Sequence, residues 1–95
     1  MSIDYIKELD DFSNYLNGKV SEGTVGVYVD AVHRWFRQLN GNAASKESAQ
    51  RYIDLISKTK SANTVNLCAR AIERYFRWKG KEIHLEAPTI PAPDP

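Results

Sequence analysis

The chain has 95 residues, 42% of them hydrophobic and 26% charged, which suits one globular domain and leaves no room for two. Its lone cysteine, Cys68, excludes an intrachain disulfide and a cysteine-rich metal cluster. The net charge of +1 hides a segregation: residues 1–30 hold two lysines against six acids, residues 31–81 eleven Lys and Arg against three, and residues 82–95 three acids and no Lys or Arg. In chain order, the first element is a helix from about Asp4 to Leu16, with Tyr5, Leu9, Phe12 and Leu16 on one stripe and Asn17-Gly18 as its stop. Ser21 caps a second helix whose inner face reads Val25, Tyr28, Val29, Val32, Phe36 and Leu39, and Asn40-Gly41 ends it. Ser45 caps a third helix, with Ala49, Tyr52, Ile53 and Ile56 inward. Ser61 caps a fourth, with Val65, Cys68, Ala69, Ile72 and Phe76 inward and Gly80 as its stop. From Lys81 the periodicity fails, and Pro88, Pro91, Pro93 and Pro95 mark an extended tail poor in hydrogen bonds. The expected organisation is a helical domain over residues 1–81 and a linker over residues 82–95.

The second half repeats the first at an offset of forty residues. Ser21 aligns with Ser61, Thr24 with Thr64, Val25 with Val65, Ala31 with Ala71, Arg34 with Arg74, Phe36 with Phe76 and Arg37 with Arg77. Phe12 and Leu16 likewise align with Tyr52 and Ile56. Two amphipathic helices share an apolar stripe by chance. A shared Ser-x-x-Thr start and Arg-x-Phe-Arg end need a better reason, and two stacked helical hairpins supply it.

The inventory holds no complete catalytic site. His33 and His84 are not at ligand spacing with another donor, and Cys68 falls on an apolar face, where a thiol acts as a small hydrophobe. Phosphate loops, zinc motifs and nucleophile elbows are missing, so no cofactor and no metal is expected. The outward face of the fourth helix is more informative: Asn63, Leu67, Arg70, Arg74 and Arg77 form one straight stripe opposite the core. Lys58 and Lys60 precede its start, where free backbone N–H groups and the positive dipole end favour a phosphate. Basic, hydroxyl and amide side chains together are the types that grip phosphates and reach base edges. Against this, Ser21 and Ser61 serve as simple caps, and the spacing pairs Asp30 with Arg34 and Glu73 with Arg77. Arg70 and Arg74, with no acid four residues away, are then the cations left for an external anion. On the second helix Gly23 and Gly26 mean either a loosely wound start or a close approach by another backbone.

These signals resemble the N-terminal, SAM-like core-binding domain of the tyrosine recombinases, the phage integrase family. The likeness rests on Ser21, Thr24, Tyr28, Asp30 and Phe36 in the second helix, and on Ser61 and Thr64 leading to Phe76-Arg77-Trp78 in the fourth. Ile83, Ala87-Pro88 and the proline-rich stretch complete it, so that it covers about Ile3 to Pro91. It implies an all-α, four-helix SAM-like bundle that clamps one side of duplex DNA. The turns that start the second and fourth helices would face the major groove, through Thr24 and Val27 and through Asn63, Thr64, Leu67 and Arg70. Lys58, Lys60, Ser61 and Arg74 complete the expected DNA-binding set. Glu22 and the two glycines depart from a richly basic second helix. The family's catalytic residues lie in a separate domain beyond the linker, so this chain is expected to bind and not to catalyse. The partners implied are double-stranded DNA, that C-terminal catalytic domain and other recombinase protomers in a synaptic complex, all in the cytoplasm. The N-terminus, with neither a basic start nor an apolar run, fits that setting, and no stretch approaches the roughly 18 apolar residues of a membrane span. The rival expectation is a SAM-like helical module for protein–protein interaction.

Overall fold

A computed structural model describes residues 5–39 and 44–87 of the chain. It is all-helical: α1 spans Tyr5–Leu16, α2 Glu22–Leu39, α3 Lys46–Ile56 and α4 Ala62–Trp78. Among the described residues there is no strand, only an isolated bridge between Asn17 and Val20 in the first turn, and no helix is long and apolar enough to cross a membrane. The expected Asn40-Gly41 stop and the four prolines lie outside the described residues.

The helix boundaries follow from local chemistry. Gly18 and Gly80 adopt a φ of 86°, the left-handed conformation that ends a helix and that glycine reaches without Cβ strain. Ser45 caps α3 in a reciprocal box, its hydroxyl accepting from the Ser48 amide at 3.1 Å while the Ser45 amide donates to the Ser48 hydroxyl at 2.9 Å.

The forty-residue repeat extends into hydrogen bonding. The Lys19 and Val20 amides both donate to the Leu16 carbonyl, at 2.9 and 3.3 Å; the Thr59 and Lys60 amides both donate to the Ile56 carbonyl, at 3.1 and 2.8 Å. Val25 and Val65 then open their helices with matching bonds to Ser21 and Ser61, at 2.9 and 3.0 Å. Two helix–turn–helix units of one design therefore stand side by side, α1 packed on α2, α3 on α4, and α2 most extensively on α4.

Equivalent residues fill the core: Val25 and Val65, Ala31 and Ala71, Val32 and Ile72, Phe36 and Phe76 are all buried. The inner face of α2 keeps Val25, Val32, Phe36 and Leu39 but extends beyond the expected stripe. Tyr28 and Val29 are only half-buried, whereas Ala31 and Trp35 are inside. The cause is that α2 packs against α1, α3 and α4 at once, so its buried arc is wider than one stripe. Tyr75, also beyond the expected core, is the centre of an aromatic cluster. It meets Phe12, Trp35 and Phe36 edge-on, at centroid distances of 5.7, 5.8 and 5.3 Å.

The folded unit does not stop at Lys81. Residues 81–87 form no helix or strand, yet Leu85 is 2% exposed and belongs to the core. Its amide donates to Glu73 Oε2 at 2.8 Å. The Gln50 side-chain amide grips the backbone of Glu86 from both sides, accepting from its N–H at 2.8 Å and donating to its carbonyl at 2.9 Å. A boundary drawn at residue 81 thus leaves out a core side chain, and this part of the tail is well supplied with hydrogen bonds. Loss of helical period ended the sequence signal there, but a single apolar residue between two anchored amides needs no period to dock.

Candidate nucleic-acid interface

The two helix starts carry the same hydroxyl pair. Ser61 Oγ accepts from the Thr64 amide at 3.3 Å and lies 3.0 Å from Thr64 Oγ1; Ser21 Oγ accepts from the Thr24 amide at 3.4 Å and lies 2.7 Å from Thr24 Oγ1. Both serines therefore cap their helices. Within each pair one hydroxyl donates to the other, which leaves a second O–H proton for an outside acceptor. Three residues further on, Val27 and Leu67 occupy equivalent positions, and both are exposed aliphatics, at 43% and 37%. Gly23 and Gly26 are exposed in α2, and a Cβ built on either would meet nothing within 4 Å. No packing among the described residues calls for glycine at those positions.

On α4, Asn63, Leu67, Arg70 and Arg77 are exposed and Arg74 is partly so; Lys58, Lys60 and Ser61 are exposed at its start. Among the described residues Lys58 and Lys60 pair with no acid.

The ion pairs on the arginine stripe differ from those the spacing suggests. Asp30 and Arg34 do pair, at 3.1 Å, on the exposed side of α2. Glu73 does not pair with Arg77. Its Oε1 accepts from Arg70 at 2.9 Å, three residues back, and its Oε2 accepts from the Leu85 amide and faces His84 Nδ1 at 3.6 Å. Docking of the tail turns the carboxylate away from Arg77. Arg70, expected to be unpaired, is therefore engaged. Arg74 and Arg77 are the cations of the stripe with no acid partner among the described residues. No sequence signal reveals this choice, because Arg70 and Arg77 both stand at pairing distance from Glu73 along one helix.

Cys68 is buried, and burial, the largest influence on it, holds its thiol pKa above the usual value, which keeps it a protonated apolar side chain. Tyr75 donates its hydroxyl to Glu8 Oε1 at 3.1 Å, and Lys79 pairs with the same carboxylate, which ties α1 to the end of α4.

Comparison with known proteins returns no match to a family model, a curated protein or a solved structure.

Proposed function

We propose that the chain binds duplex DNA through the outer face of α4, in the manner of a SAM-like core-binding domain of a tyrosine recombinase. The reading rests on one arrangement above all. Lys58, Lys60, Asn63 and Leu67 are exposed along the start of α4, and Arg74 and Arg77 continue the stripe without acid partners among the described residues. Lysines and arginines supply the charge that draws a phosphate backbone. Asn63 and the spare hydroxyl proton of the Ser61–Thr64 pair supply donors, and Leu67 supplies an aliphatic surface for a thymine methyl or a sugar. On α2 the matching start offers Thr24 and Val27 beside two glycines, which suits close approach of a strand more than charge attraction.

Binding that depends on phosphate contacts releases counterions, and each contact contributes about −0.9 to the slope of log affinity against log salt. Fluorescence anisotropy of a labelled duplex at several salt concentrations should show affinity falling steeply as salt rises. Absence of binding at low salt, or a flat salt response, would overturn the reading.

A protein-interaction module is the competing class, and Ile6 and Leu55, exposed at 84% and 52%, are its support. Sedimentation velocity separates the two: concentration-dependent oligomers that ignore added duplex favour the module.

A further inference from the structure

Between α2, α4 and the segment after α4 lies a cleft of about 490 Å³. Arg70, Glu73, Arg74 and Arg77 line it from α4 and Tyr28 from α2, while Glu82 and His84 line it from the docked segment. We propose that this cleft seats a phosphate of the nucleic-acid backbone, held by the Arg74 and Arg77 guanidinium groups, with the Tyr28 hydroxyl as a further donor. The inference rests on the DNA-binding reading and adds to it a contact on the second half of α4.

The repeat provides an internal comparison. On α2 the equivalent row is Asp30, Arg34 and Arg37, and there the aspartate closes on Arg34 at 3.1 Å. On α4 the row is Arg70, Arg74 and Arg77, three cations spaced at four and three residues, where like charges repel. Glu73 relieves only the first of them, because its other oxygen is taken by the Leu85 amide. The same backbone design thus leaves one cation, Arg37, without an acid partner in one copy and two, Arg74 and Arg77, in the other, among the described residues. Two planar guanidinium forks present several N–H donors, and the two non-bridging oxygens of a phosphodiester accept from such forks bidentately. A cleft of this volume also takes the flanking sugar, as a chain-like ligand requires. Glu82, at the edge of the same cleft, works against an anion in it.

The test uses the whole chain and a labelled duplex. Arg74→Gln and Arg77→Gln should each weaken binding by about tenfold at low salt, and the double variant should reduce the salt slope by about 0.9, the share of one phosphate. Arg34→Gln, at a cation that Asp30 already neutralises, should leave the slope unchanged. Glu82→Gln should tighten binding by about two- to fivefold, a gain that a misfolded variant does not produce. Wild-type binding with slopes indifferent to Arg74 and Arg77, and with Glu82→Gln neutral, would overturn the cleft while leaving the DNA reading intact. Failure of the wild type to bind duplex at all would instead remove the reading on which the cleft depends. Inorganic tripolyphosphate provides the remaining arm. If it shifts the Arg74 and Arg77 side-chain NMR signals while the duplex slopes ignore both residues, the cleft takes soluble phosphate, and the backbone assignment fails.

Discussion

Tyr75 carries its hydroxyl to the Glu8 carboxylate, whereas Trp35, its equivalent forty residues earlier, is fully buried and carries an indole N–H that meets no acceptor among the described residues. The repeat explains the difference. The counterpart of Glu8 is Ser48, which lines the same cavity as Trp35 but spends its hydroxyl on the Ser45 cap. Titratable groups inside this core have a consequence for stability. Burial, in each case the largest cause, raises the pKa of Cys68, Tyr52 and Tyr75, and the neighbouring Glu8 raises Tyr75 further. The folded chain therefore keeps protons that the unfolded chain gives up, and the stability they contribute is lost as pH rises. Urea midpoints should begin to fall above about pH 8.5, where an unfolded cysteine ionises, and fall faster above about pH 10, where unfolded tyrosines do. Cys68→Ala should remove the first part of the decline, and a midpoint flat from pH 8 to 11 would contradict the argument. Leu85→Ala, which empties a fully enclosed site, should lower stability by about 2–5 kcal/mol in the same assay.

At the level of helices and turns, the two units agree in what a sequence encodes locally. Caps, the Gly18 and Gly80 stops, the spacing of Val25, Val32 and Phe36, and their counterparts Val65, Ile72 and Phe76 are legible, because each depends on residues within a turn or two. Trp35 was not placed inside, since its burial depends on α2 touching three other helices. The partner of Glu73 was not legible either, because the deciding group is the Leu85 amide, twelve residues away and outside any helical spacing. The candidate site was therefore readable as a set of exposed residues on one face, and unreadable in its pairing. The glycines of α2 give a test at this scale. Gly26→Ala adds a methyl that meets nothing within 4 Å and should stabilise the helix by about 0.5–1 kcal/mol. If a DNA strand passes close to α2, the same variant binds duplex more weakly while melting at a higher temperature. A gain in both would mean that the strand keeps its distance.

For the molecule as a whole, the segment after α4 joins elements that the repeat alone would leave apart. Gln50 on α3 holds Glu86, Glu73 on α4 holds Leu85, and the Leu85 side chain closes the core. A chain ending at Lys81 should accordingly be less stable than the full one by at least as much as Leu85→Ala, and cooperative urea unfolding measured on both decides it. It should also lose affinity for duplex despite the removal of Glu82, since Glu73 then becomes free to close on Arg77 and the docked segment no longer walls the cleft.

The unmatched indole of Trp35 gives the molecule an instrument of its own. Its N–H proton sits where α2 meets the second unit, buried and held by no acceptor among the described residues, while the other tryptophan, Trp78, is only half-buried. Nothing but enclosure slows its exchange with deuterium, so the decay of that one NMR signal would clock how often the two halves part, with no label introduced.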